Sequence, residues 1–138
     1  MTPEFLKLNF DEVEKGNPGM TGMGGVFRDS GGNIIRLYAG SMGNSTNNAM
    51  EFGSLELGLE ILSRGRMTNT IVEGDSTLVI NTVKRLQNGT RVGKVQRHWS
   101  LEHSLQKIKE HLQMMNTVQL RWVQVNEWSG GQNRQQGG

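Results

Sequence analysis

The chain has 138 residues, 34% of them hydrophobic, with 19 glycines, no cysteine and a net charge of +2. That length makes one ordinary domain, and the missing thiols exclude disulfide scaffolds, thiolate metal sites and cysteine nucleophiles. The small net charge conceals an uneven distribution: residues 1–78 hold ten acids and six bases, whereas residues 79–138 hold three acids and nine bases.

Residues 5–11 alternate, with Leu6, Leu8 and Phe10 on one face and Lys7, Asn9 and Asp11 on the other, which predicts a strand closed by Asp11. Gly16-Asn17-Pro18-Gly19 is a turn, because Pro fixes φ and Gly accepts positive φ. Met23 to Arg28 and Asn33 to Ala39 are two further strands, joined by the hairpin signal Asp29-Ser30-Gly31-Gly32. An antiparallel meander of three strands follows from this order.

Ser45-Thr46-Asn47-Asn48 then supplies helix-capping residues, and Asn48 has Glu51 three positions later, as in a capping box. Met50, Leu55, Leu59 and Leu62 form a helical stripe that Gly65 can end. Thr68 to Glu73 is short and rich in β-branched residues, so a buried strand is expected. Gly74-Asp75-Ser76 leads into a second helix carrying Leu78, Val79, Thr82, Val83 and Leu86, which Asn88-Gly89-Thr90 breaks. Leu101, Leu105, Ile108 and Leu112 mark a long helix across residues 95–115, and Val118 to Val125, with Trp122, is a last strand. The order βββαβααβ predicts an α/β domain with a five-stranded mixed sheet flanked by helices. We place the domain at residues 1–128. Residues 129–138, SGGQNRQQGG, have no hydrophobe and are expected to be disordered. No apolar run is long enough for a membrane span, and the N-terminal MTPEFLKLNF lacks the pattern of a secretory signal. An intracellular protein, cytoplasmic or nuclear, is therefore expected.

Three acids occupy informative places. Asp11 closes the first strand, Glu51 lies in the first turn of the first helix, and Asp75 ends the fourth strand. Singly, such residues are usually caps or solvated groups. Jointly, they would fall where strands end and helices begin, the usual ligand-binding edge of an α/β sheet. Three carboxylates drawn together repel unless a cation intervenes, and a donor set of oxygens alone favours magnesium or manganese over zinc. Between Val79 and Leu101 there is no acid, while Lys84, Arg85, Arg91, Lys94 and Arg97 all fall there. That stretch is either a solvated helix and loop or a surface for polyanions. Trp99 adjoins it and is more often a packing residue than a base-stacking one. His98, His103 and His111 have no ligand spacing and are expected on a helix surface. The methionines, Met114 and Met115 included, are expected to fill the core.

The segments Leu8-Asn9-Phe10-Asp11, Lys15-Gly16-Asn17-Pro18-Gly19, Gly24-Gly25-Val26-Phe27-Arg28-Asp29, Ser45-Thr46-Asn47-Asn48-Ala49-Met50-Glu51 and Val72-Glu73-Gly74-Asp75-Ser76 occur in that order. Together they resemble the type 1 ribonuclease H family, and especially the ribonuclease H-like domains associated with plant reverse transcriptases, from about Leu6 to Val125. The resemblance implies a ribonuclease H fold in which Asp11, Glu51 and Asp75 bind two divalent metal ions, Mg2+ or Mn2+. It implies endonucleolytic hydrolysis of the RNA strand of RNA–DNA hybrids by two-metal catalysis. It further implies that Asn17, Thr46 and Asn47 grip the nucleic-acid backbone, and that Lys84, Arg85, Arg91, Lys94 and Arg97 contact phosphates. No membrane and no organic cofactor are implied, and the oligomeric state stays open.

Two departures stand beside the match. Glu12 and Val13 follow Asp11, where the family carries Gly and a small residue. No Asp follows Asp75 in this sequence, where the family has a fourth carboxylate, and Glu127 is the nearest acid to that place. Reduced activity is therefore an expectation. The alternative functions are a catalytically impaired hybrid-binding module and an interaction domain on the same scaffold.

Overall fold

The computed structural model describes residues 5–14, 21–41, 46–65, 69–89, 99–115 and 118–125, without the side chains of residues 12–14, 21, 99 and 100. Among them run strands β1 (Leu6–Glu14), β2 (Thr21–Arg28) and β3 (Ile34–Gly40), helix α1 (Asn47–Gly65), strand β4 (Asn69–Gly74), helices α2 (Thr77–Gln87) and α3 (Trp99–Met114), and strand β5 (Gln119–Gln124). The sheet order is β3-β2-β1-β4-β5, antiparallel through the meander and parallel from β1 to β4 to β5. This is the mixed sheet and element order expected from the sequence. Asn17, Arg91, Lys94, Arg97, His98, Glu127, the side chains of Glu12 and Trp99, and the tail at 129–138 all lie outside the described residues.

Alternation of apolar residues turns one sheet face inward. Leu8, Phe10, Phe27 and Val72 are almost fully enclosed by α1, which packs on β1 and β2, and by α2, which packs on β4 and β5. Helix α3 lies against α1 and α2 through Leu101, Ile108 and Leu112, with Leu105 packed at the edge of the same cluster. Met50, Leu55, Leu59 and Leu62 of α1 are all buried, as their spacing predicts. At the hairpin, Asp29 Oδ1 accepts from the N–H groups of Gly31 and Asn33, and Gly32 takes a positive φ of 87°, where a side chain would be strained.

Several local expectations need correcting. Asp11 does not close its strand: β1 pairs with β2 as far as Glu14↔Thr21, because a long antiparallel ladder carries it beyond the apolar residues. The N-cap of α1 is Thr46, whose Oγ1 accepts from the Ala49 N–H at 3.1 Å. Asn48 is already helical, so no Asn48–Glu51 capping box forms, and Glu51 is the fifth residue of α1. Met115 is buried but Met114 is 70% exposed, since adjacent helical residues point to different sides. His103 is exposed as expected, whereas His111 is half-buried with Nδ1 sealed from solvent. Both histidines lie on the side of α3 whose charges reach Glu56 of α1. No helix among the described residues is long and apolar enough to cross a membrane.

Candidate metal centre and nucleic-acid interface

The parallel pairing of β1 with β4 runs from Leu6↔Thr70 to Asn9↔Glu73. One residue later β4 ends at Gly74, and Asp75 sits in the turn before α2. Asp11 lies two residues past the last β1–β4 pair, so the strand places it beside that turn. Phe10 fills the core, and Asp11 follows it at the edge of that core. Helix α1 brings Glu51 in from its second turn.

One carboxylate oxygen from each of Asp11, Glu51 and Asp75 comes within 4.8 Å of the other two. Three residues separated by up to 64 positions therefore meet in one place. Glu51 is the most enclosed, with 8% of its surface exposed, and Asp75 is exposed. Capping does not account for the two helix-associated acids. Ser76 caps α2, its hydroxyl accepting from the Val79 N–H at 3.2 Å, and Thr46 caps α1. The nearby Glu73 is turned to another task, pairing with Lys7 Nζ at 3.5 Å.

The donor set fits hard divalent cations. It consists of carboxylate oxygens, the ligands that magnesium and manganese prefer. Oxygens sharing one magnesium at about 2.1 Å lie no more than roughly 4.2 Å apart, so the cluster needs small side-chain rotations to close on an ion. Carboxylates gathered this closely repel one another, and a dication between them offsets that repulsion.

Around the cluster, Thr46 and Asn47 are exposed at the start of α1, five and four residues before Glu51. Thr46 combines this position with its capping role. Lys84 and Arg85 project from the last turn of α2 and are exposed, at the helix end remote from Asp75.

One residue close to the cluster carries no signal in the motifs above. Ser54, three residues after Glu51 and 0% exposed, holds its hydroxyl 2.7 Å from the Asp11 carbonyl and accepts from the Gly24 N–H at 3.1 Å. The one hint in the sequence is a hydroxyl in the middle of an otherwise apolar helix face, opposite a strand rich in glycine.

A family model described as reverse transcriptase-like matches residues 9–127. Among solved structures, LC11-RNase H1, isolated from compost by a metagenomic approach, is 30% identical, with 86% of this chain and 81% of that chain covered and a TM-score of 0.61. A crystal structure of LC11-RNase H1 in complex with an RNA/DNA hybrid is 26% identical over 86% of this chain and 83% of that one, with a TM-score of 0.63. RNase H1 from the halophilic archaeon Halobacterium salinarum, at 24% identity, 86% and 83% coverage and a TM-score of 0.62, shares the fold. No curated protein matches the chain.

Proposed function

The chain belongs to the reverse transcriptase-like family, with the ribonuclease H fold, and from that premise we propose that it hydrolyses the RNA strand of RNA–DNA hybrids with magnesium or manganese. The observation that carries this reading is the meeting of Asp11, Glu51 and Asp75 oxygens within 4.8 Å. Support for the substrate comes from LC11-RNase H1, whose structure was obtained in complex with an RNA/DNA hybrid.

Each element contributes something distinct. Strand β1 supplies Asp11 from a backbone paired with Gly24 of β2, two residues past the end of its ladder with β4, so its carboxylate starts from a fixed strand position. Glu51 comes from a helix and is mostly enclosed, which strengthens its attraction for a cation by keeping water away. Asp75, exposed on a turn, has the freedom to adjust as substrate arrives. Divalent ions held by these residues would generate the attacking nucleophile from water at neutral pH and stabilise charge on the leaving 3′ oxygen. The peptide and side-chain amides of Asn17 and Asn47 and the hydroxyl of Thr46 are suited to backbone oxygens and to the 2′-hydroxyl that distinguishes RNA. Lys84 and Arg85, with Arg91, Lys94 and Arg97, supply affinity for phosphates without sequence preference.

The test is cleavage of a labelled hybrid in magnesium and in manganese, with Asp11→Asn as the control. We expect RNA fragments ending in a 3′ hydroxyl from the wild type and none from the variant. Equal, negligible rates for both proteins under both metals overturn the proposal. The second reading, a hybrid-binding module without turnover, is favoured by the acid at Glu12 directly beside Asp11. Salt-dependent hybrid binding without cleavage would select it.

A further inference from the structure

We propose that Ser54 is a positioning residue for the carboxylate cluster, holding the β1 backbone at Asp11 in a fixed relation to Glu51 on α1. The inference rests on the reading of that cluster as a metal centre. Ser54 is fully enclosed, and its hydroxyl lies 2.7 Å from the Asp11 carbonyl, 2.9 Å from the Met50 carbonyl and 3.1 Å from the Gly24 nitrogen. A serine hydroxyl has one proton to give and lone pairs to receive with. It accepts from Gly24 and donates to Asp11 or to Met50.

Asp11 and Gly24 are partners across the β1–β2 ladder. The hydroxyl therefore bridges the two strands at the residue that carries the first carboxylate, and it does so from the helix that carries the second. Residues three apart on a helix share a face, so Ser54 and Glu51 both address the Asp11 end of β1. The other end of the Ser54 peptide is also held: the Tyr38 hydroxyl, from β3, donates to the Ser54 carbonyl at 2.7 Å. Tyr38 reaches it by crossing Gly25 and Gly58, where a Cβ on Gly58 would come within 2.6 Å of the tyrosine oxygen. Three strands and α1 are thus locked together at one serine, one helical turn from Glu51. Apolar contacts alone would let α1 slide along the sheet, whereas these directional bonds set its register.

The test measures manganese binding to the whole chain by calorimetry, in the wild type, Ser54→Ala, Tyr38→Phe and Ile108→Val. Ile108 is buried on α3, so its variant lowers thermal stability without touching the bridge. We expect Ser54→Ala to weaken manganese binding about tenfold and Tyr38→Phe about threefold, while Ile108→Val binds as the wild type does. Wild-type affinity in folded Ser54→Ala overturns the positioning role and leaves the metal centre standing. If Ser54→Ala does not fold, wild-type affinity in Tyr38→Phe overturns the role in its place. A wild-type chain that binds no manganese overturns the metal centre, and the positioning role with it.

Discussion

The ring of Phe10 fills the space that a Cβ on Gly74 would need, and each of these residues is followed directly by one of the clustered acids, Asp11 and Asp75. The contact lies one residue beyond the last pair of the β1–β4 ladder. Phe10 is fully buried, so its ring cannot swing aside into solvent.

Gly74→Ala should therefore destabilise the fold by about 1–3 kcal/mol, the usual cost of overpacking a filled core. Urea unfolding would measure it. Phe10→Leu in the same chain should recover part of the loss, giving a coupling between the two sites that a double-mutant cycle reads directly. Strict additivity would mean that the ring and the glycine do not depend on one another.

Neutralising one member of the carboxylate cluster should act in opposite directions with and without metal. In metal-free buffer Asp75→Asn relieves repulsion from Asp11 and Glu51, so thermal stability should equal or exceed that of the wild type. Manganese at a hundred times its dissociation constant should stabilise the wild type by about 2.7 kcal/mol, several degrees in melting temperature. The variant should show little of that gain. Thermal scans with manganese and with a chelator check both halves.

The meander was legible because alternation and turn chemistry agree: Leu8 and Phe10 face inward, and Asp29 with Gly32 makes the hairpin. The apolar stripes of α1 and α3 were legible for the same reason. The limits of β1 were not, since its extension past Asp11 comes from a partner strand rather than from its own pattern. The cap of α1 is Thr46 rather than Asn48: the run Ser45-Thr46-Asn47-Asn48 offers a capping side chain at every position, so the sequence alone leaves the first turn open. The acid cluster was visible through matching segments, while its closeness depends on where β4 ends. Ser54 was invisible because a serine within a helix looks neutral until the strand it touches is known.

Glu56 makes stability depend on pH through the contact between α1 and α3. It lies half-buried between α1 and α3, where burial raises its pKa above the ordinary 4.5, against a hydrogen bond from Ser104 and the charges of His103 and His111, while Glu60 adds to the rise. A raised pKa means that the folded chain holds the proton more tightly. The stabilisation is thus complete below about pH 4.5 and is lost as the pH climbs through the folded-state value. Glu56→Gln keeps an acceptor for Ser104 and has no charge to desolvate. It should be more stable than the wild type at pH 7–8, with the difference closing toward pH 4. Urea midpoints of the two proteins across that range test the sign, and a constant difference would refute it.

Lys84 and Arg85 offer the clearest test of the basic surface, because both are exposed on the last turn of α2 and take no part in the core. Their removal leaves Val79, Ile80 and Val83 packed as before, so the melting temperature of Lys84→Gln/Arg85→Gln should stay within about a degree or two of the wild type. If both cations meet phosphates, each contact releases roughly one counterion. Hybrid affinity should then fall about tenfold or more at 0.1 M salt, and the slope of log affinity against log salt should flatten by roughly 1–2. Because phosphate contacts carry no sequence information, the loss should be equal for hybrids of different sequence. An unchanged slope would assign this helix end to solvent and leave hybrid affinity to the residues around Asp11 and Glu51.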